Sequence, residues 1–599
     1  MHDSKRHRVA LVSQHVPHED GPDPQGPQRR CSEYPNCATS HDLRLERRPE
    51  HADNGCWHYI SAVSIVATGA AEPETGPIEL FARRWRWWIL GAIVVVGAIV
   101  RGLGVHEGTL TRDDAWVALS ARVPIGTAVH MLVTTPGFTL FERTWIGLNP
   151  QPSWWAQLPS MIAGVALIPA IYGLLRDRAT TVWLSLLGAL LASCVPAGVV
   201  YSTHVKSFSF DALWVCLLLV AAWRTNKTLT TTRVLMLGVV GIAASWWSLS
   251  LAIPVVGVWA VMVLRCVWQR RLTAAVVVAA GATGGSLLLE RLVLSRQITA
   301  ALHDFWHSYF IDPSSASGIL HGLTTLSWRL VGMLTINRGG TPPLLLGLGA
   351  LAAWVFVVWL AARRAPTEVG ILGVALIASL VHLAPLGTAR TDIYLVPVLI
   401  VLLVSAAGHG LSIVDRRRGA RTATALACAG AAGIVLMAVF LLGVISPAAI
   451  KLPNKGNLPF ITDLRPVHAA AMRELDTPGS VLLVEEPLWV WAYYFVDPLR
   501  VEHDPHSLTS FTVVGSDARV ILPRHADGHL AFFPPTTGNR VRHATRLITV
   551  RPSQMKRDPV ATALRRDCWF PGTPKRIGDD LLTIYLRGPS CSASRTHAP

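Results

Sequence analysis

Thr111-Arg112-Asp113-Asp114 places two adjacent carboxylates at the head of the apolar run Ala115–Leu119. Neighbouring carboxylates repel, which raises one pKa and suits it to accept a proton near neutral pH; the pair could equally ligate a metal ion. The same residues have a structural reading. Thr-x-x-Asp before an apolar run is a capping box, and acids favour the first turn of a helix. A second cluster, His303, Asp304, Trp306, His307 and Tyr309, mixes imidazole, carboxylate and aromatic rings ahead of a Pro/Ser/Gly turn. Cys31, Cys37 and Cys56 with His41, His51 and His58 offer thiol and imidazole, but a C-x5-C pair without a second pair is a weak zinc pattern.

The elements that must position these residues belong to a membrane. Of 599 residues, 51% are hydrophobic and only 15% charged, against about 25% charged in soluble domains; mean hydropathy is +0.39. Apolar segments follow one another at about 88–105, 154–175, 181–200, 208–223, 233–249, 250–267, 272–292, 341–362, 368–386, 391–412 and 422–446. Each can cross about 30 Å of hydrocarbon, some only just. At the 250–267 boundary, Pro254 and Trp246-Trp247 fit either a tight hairpin or a kinked helix.

Charge sets the topology. With Arg83, Arg84 and Arg86 on the cytoplasmic side, five short connections on that side hold 14 basic and 3 acidic residues, against 10 and 9 opposite. Positive residues belong inside, so the N-terminus is expected in the cytoplasm and the C-terminus outside. The net charge of +16 follows this pattern and is not the footprint of a nucleic-acid partner.

The expected fold is therefore an all-α polytopic membrane protein of about 11 helices with a C-terminal extracytoplasmic α/β domain. Residues 1–85 read as a disordered cytoplasmic tail, 86–447 as the membrane domain and 448–599 as the outer domain. Two outer loops are long, 106–153 and 293–340, and long loops with their own helices commonly carry function. In the outer domain, Pro466–Asp476 and Leu488–Val496 look helical, and Ser480–Val484, Val520–Leu522 and Leu581–Leu586 look like strands. Cys568 and Cys591 lie there, on the oxidising side, as candidates for a disulfide.

Four stretches together resemble the GT-C-fold membrane glycosyltransferases of the protein-mannosyltransferase and aminoarabinose-transferase type. They are Asp113-Asp114, then Thr135-Pro-Gly-Phe138 through Trp145 to Trp154-Trp155-Ala-Gln-Leu-Pro-Ser-Met-Ile-Ala-Gly164. Tyr201-Ser-Thr-His204-Val-Lys206 and Arg390-Thr-Asp392-Ile-Tyr394-Leu-Val-Pro397 complete the set. The ending, Arg473 to Pro478-Gly479 and an apolar strand, is also similar to the family, and the likeness covers roughly residues 86–500. Departures are Asp114 for Glu, Thr135 for the first Pro, Lys206 for Arg and Gln157 for Arg.

The resemblance implies inverting transfer of a sugar from a polyprenyl-phosphate donor to an extracytoplasmic acceptor, either an envelope glycan, a lipid or a protein. Asp113 or Asp114 would be the catalytic base. Lys206, His204 and Arg390 would bind the donor phosphate, and Trp116, His303 and Trp306 are candidates for substrate contact. A divalent ion bridging the acid pair and the phosphate is a candidate cofactor. Two other classes compete. A transporter would show matched halves, broken helices and midplane charges. A non-catalytic lipid-binding partner in envelope assembly would account for the substituted motifs.

Overall fold

The computed structural model describes residues 77–588 apart from 106–109, 132–133, 151–152, 179, 295–305, 336–341, 445–462, 485–487, 498, 504–510, 515–516, 518, 523–540, 542, 553–563, 566–567 and 578–579. The tail through residue 76 with its zinc pattern, His303 and Cys591 lie outside the described residues.

Helix α1, Pro77–Gly102, begins ahead of the boundary expected at residue 86. Proline suits a first helical turn because its missing N–H would be unsatisfied there anyway. Glu79 completes the start: it accepts from Arg83 Nε (2.9 Å) and from the Val182 and Trp183 N–H groups (3.2 and 3.4 Å). One carboxylate thus holds its own helix and caps a second. The arginines read as a flank of the helix are part of it: Arg83 pairs with Glu79, and Arg84 and Arg86 lie over the rings of Trp85 and Trp87.

Three helices fill the first long loop: α2, Arg112–Arg122; α3, Ile125–Met131; and α4, Pro136–Leu148. The bundle continues with α5, Ser153–Asp177; α6, Val182–Cys194; α7, Pro196–Val200; α8, Phe208–Lys227; α9, Thr231–Trp247; α10, Ala252–Trp268; and α11, Ala274–Leu294. After the second long loop, with α12 at Ala316–Leu334, come α13, Leu344–Ala361; α14, Pro366–Leu380; α15, Leu395–Arg418; and α16, Ala420–Val444.

The described part of the chain is mostly helical. Among the described residues, seven helices are long and apolar enough to cross a membrane, or eight if the bent pair Val182–Cys194 and Pro196–Thr203 forms one span. Thr231–Trp247 and Pro366–Leu380 are apolar but shorter, and so is the stretch Arg421–Leu436 within α16. The pair bends by 56° because Pro196 has no N–H and its ring clashes with the preceding turn. The exposed carbonyls at the break are met by Arg101, fully buried, which donates to Ser193 O and Ala192 O (3.0 and 3.1 Å). At Gly164 a Cβ would stand 3.0 Å from that guanidinium, so only glycine leaves room for it. Of the two readings at residue 250, the hairpin is realised: α9 ends at Trp247 and a 3-10 turn, Leu249–Leu251, leads into α10.

The C-terminal region begins with α17, Arg465–Leu475, β1, Ser480–Val484, and α18, Leu488–Phe495. The strands that follow are β2, Arg500–His503; β3, Phe511–Val514; β4, Val520–Ile521; β5, Arg546–Pro552; β6, Trp569–Pro571; β7, Lys575–Ile577; and β8, Asp580–Arg587. One sheet runs β4-β1-β5-β8-β6 with β7 also on β8, and β2-β3 pair separately. β1 is parallel to β4 and β5, and all five of its residues are buried, as a strand covered on both faces requires. Cys568 is disulfide-bonded.

Two main cores result. One fills the helix bundle, with Ile171, Leu219, Val258, Leu399 and Val401 among its members. The other joins α2 and α4 to the C-terminal region: Val117, Leu119 and Phe138 pack in one cluster with Val467, Leu482, Trp489 and Ile548. The first long loop and the C-terminal region therefore share their apolar interior and do not fold as separate layers.

Candidate active site

Thr111 caps α2 as its sequence predicts. Its Oγ1 accepts from the Asp114 N–H (3.3 Å) and donates to Asp114 Oδ2 (2.6 Å). Capping does not exhaust the acid. Asp114 is 1% exposed and also receives the Val205 N–H (2.9 Å) and His204 Nδ1 (3.0 Å). Burial pushes its carboxyl up, but the charge and hydrogen bond of His204, with Thr111 and Lys206, outweigh that and hold it below the usual range. Burial likewise works against a charged His204, and the Asp114 carboxylate outweighs it, so the imidazole pKa is raised.

Asp113, one residue earlier, points elsewhere. Its Oδ2 forms an ion pair with Arg390 Nη2, and both side chains stay about a quarter open. Arg390 is set by a knotted turn. Asp392 accepts from the Gly387 N–H (2.5 Å) and Thr388 Oγ1 (2.7 Å), and Thr388 Oγ1 accepts from the Arg390 and Thr391 N–H groups (3.1 and 2.9 Å). Gly387 has φ of +80°, and a Cβ there would sit 3.0 Å from the Arg329 side chain, so the turn needs glycine on both counts.

Lys206 closes the cluster. It is 7% exposed, its Nζ lies 5.1 Å from the centroid of the Trp116 ring, and its carbonyl accepts from Ser160 Oγ (3.0 Å). Burial lowers its pKa to about 8; Asp113 and Asp114 oppose that shift and Arg390 adds to it. The bent span delivers this residue: α7 and the turn Tyr201–Thr203 carry the chain from the break at Pro196 to His204.

The structure thus brings together Asp113, Asp114, His204, Lys206, Arg390 and Trp116 from three distant stretches of chain. His303 is outside the described residues, and Trp306 packs edge-on against Tyr309 (5.5 Å) in the second loop. Gln157, in place of an expected arginine, is buried and donates to Ser153 O (3.1 Å), within its own helix. Two residues escaped the sequence reading. Glu142 on α4 is fully buried with neither carboxylate oxygen hydrogen-bonded, and burial, then Asp114, raises its pKa to about 8. Trp489 on α18 stacks on Trp116 (6.4 Å, 30°). No spacing rule links a residue of the last domain to the first loop. An isolated Glu between Phe141 and Arg143 reads as surface.

Among the described residues, no group of three or more His, Cys, Asp or Glu side chains is placed to hold a metal ion. Both site carboxylates are already held, Asp113 by Arg390 and Asp114 by His204, Val205 and Thr111, so the residues present do not fit a divalent ion.

No family model matches the chain, and no curated protein matches it by sequence. Solved structures do. The chain is similar to ArnT from Cupriavidus metallidurans in the apo state, at 13% identity and TM-score 0.48, over 85% of this chain and 99% of that one. It is similar to the same enzyme bound to undecaprenyl phosphate at 14% identity and TM-score 0.48, over 85% and 100%. It is also similar to the mycobacterial arabinofuranosyltransferase AftD at 13% identity and TM-score 0.44, over 85% of this chain and 40% of that one. These neighbours are GT-C glycosyltransferases.

Proposed function

We propose that this chain is an integral-membrane glycosyltransferase that moves a sugar from a polyprenyl-phosphate donor to an extracytoplasmic acceptor, with inversion. The reading places the N-terminus in the cytoplasm and the C-terminal region outside, with Cys591 as the disulfide partner of Cys568. The observation that carries it is the meeting of a partly open carboxylate, Asp113, with Lys206 and Arg390 at one place beside the helix bundle. An acid that can take a proton, next to cations that can take a phosphate, is what displacement of lipid phosphate by a hydroxyl requires.

The two carboxylates then divide the work. Asp113 is the base: it is exposed enough to reach an acceptor hydroxyl, and its partner Arg390 can turn to the phosphate. As the hydroxyl oxygen bonds to the anomeric carbon, Asp113 takes its proton. The anomeric carbon–oxygen bond to the phosphate breaks, and the electron pair leaves with the lipid phosphate. Lys206 and Arg390 neutralise the charge that gathers there. Asp114, sealed and held by three partners, is a positioning residue: it fixes His204 and the Val205 N–H, and hence the turn that presents Lys206. The apolar surface of the bundle would take the polyprenyl tail.

Ionisable groups inside the bundle lie near helix ends, as Arg101, Asp211, Glu290 and Glu368 all do, and this supports an enzyme over a transporter. The test is transfer of labelled sugar from polyprenyl-phosphate donors in membranes, with Asp113→Asn and Asp114→Asn made separately and abundance checked. Asp113→Asn should lower kcat by about 10²- to 10⁴-fold. Full transfer by Asp113→Asn would overturn the assignment.

A further inference from the structure

Lys206 is a long flexible side chain, and an ammonium on four methylenes needs something to aim it. Its backbone is fixed by Ser160, but its Nζ is held over the face of Trp116 at 5.1 Å. That ring is in turn stacked on Trp489, 3% exposed, from the C-terminal region. The Trp489 helix is well anchored to the first loop: Arg122 donates to Tyr493 O and to Val496 O (3.3 Å), and Tyr494 Oη accepts the Leu110 N–H (3.3 Å). Asp113 and Asp114 from α2 and Arg390 from the turn before α15 are the charged groups facing Lys206.

We infer that the C-terminal region is part of the phosphate-binding apparatus: Trp489, through Trp116, is a positioning residue that aims Lys206 at the donor phosphate. This inference rests on the transferase reading for its ligand, although the positioning itself does not. Without the second indole, the packing that sets the tilt of Trp116 is loosened, its face backs the ammonium less closely, and Lys206 loses its aim. The loss falls on phosphate binding, since the path from Trp489 runs through the ring that backs the ammonium.

The experiment uses the full-length protein in nanodiscs with three variants, Trp489→Ala, Trp489→Phe and Arg122→Met. Arg122→Met weakens the same interface without touching the stack. Three measurements are made: binding of undecaprenyl phosphate as Kd, transfer kinetics as KM and kcat, and labelling of Lys206 by an amine-reactive reagent followed by mass spectrometry. Trp489→Ala should raise Kd and donor KM by roughly 10-fold, the size of one aromatic stack plus one cation–π contact, with kcat within about twofold. It should also increase Lys206 labelling, while Trp489→Phe stays near wild type and Arg122→Met changes none of the three as much. Unchanged labelling and Kd in Trp489→Ala, or an equal change in Arg122→Met, would overturn the inference. Increased labelling with unchanged Kd overturns the link to phosphate. A wild type that binds undecaprenyl phosphate and responds as above, yet transfers no sugar, would sink the transferase reading and leave the positioning role standing.

Discussion

The molecule holds two acid–arginine–tryptophan arrangements at opposite ends of the bundle. At one end Arg178 pairs with Glu368 (2.5 Å) and lies 5.6 Å from the centroid of the Trp223 ring, with side chains only 6% and 0% exposed. At the other, Asp113 pairs with Arg390, both partly open, while Lys206 lies over Trp116. The first is a closed account: one charge of each sign, a ring beneath the cation, no access. The second has cations beyond those its carboxylates need, and an opening. A sealed neutral pair ties helices together; an open cluster with surplus positive charge is fit to meet an anion. The same residue types serve as brace or as site according to access and to the count of charges.

The comparison can be broken at either end. The largest effect on activity belongs to Asp113→Asn, with kcat down by about 10²- to 10⁴-fold and thermal stability near wild type. Glu368→Gln should do the opposite. Removing one member of a buried pair costs about 3 kcal/mol, read as a lower melting temperature, with transfer per folded molecule unchanged. Loss of kcat by the folded Glu368 variant would erase the distinction.

Next in size is Lys206→Met, which should raise the donor KM by roughly 10- to 100-fold, the worth of a hydrogen bond to a charged group. Because burial lowers the Lys206 pKa to about 8, it is an ammonium below that pH and a neutral amine above. The wild-type donor KM should therefore climb above about pH 8. Lys206→Arg, whose guanidinium keeps its charge, should flatten that climb. A profile that persists in the Arg variant would point to another group.

The smallest effect concerns the Asp114–His204 pair. Asp114 is lowered from 3.8 and His204 raised from 6.5, so what they contribute to stability is complete between those values. It fades as pH falls through the depressed carboxyl pKa and as pH rises through the raised imidazole pKa. Asp114→Asn should remove both slopes from a plot of unfolding free energy against pH, and unaltered slopes would deny the pair this role.

The capping threonine and the acid pair could be read from their own spacing at a helix start. Tyr201–Lys206 and Arg390 stood out only through the family resemblance, with hydropathy and charge placing them near a membrane boundary. The division between Asp113 and Asp114 was not legible. Adjacent identical residues differ only in where α2 turns them, and burial decides that. The start of α1 was hidden because arginines inside a helix look like arginines beside one. The Trp489 stack was hidden for a different reason: a contact spanning most of the chain leaves no trace in spacing. Fewer than eleven long apolar helices are described because α9, α14 and the stretch Arg421–Leu436 within α16 are apolar but short, and Pro196 breaks a segment that hydropathy averages into one.

The shared interior of the first loop and the C-terminal region has a consequence for how the protein is made. Leu119 and Phe138 leave the ribosome hundreds of residues before Leu482 and Trp489, with which they pack. Long-range contacts form late because the intervening chain must exist first. Throughout synthesis the helix that carries the acid pair waits with one face uncovered, and only the arrival of the final region completes it. A chain stopped after α16 would hold both carboxylates, yet the helix that carries them would lack the apolar partners that cover it.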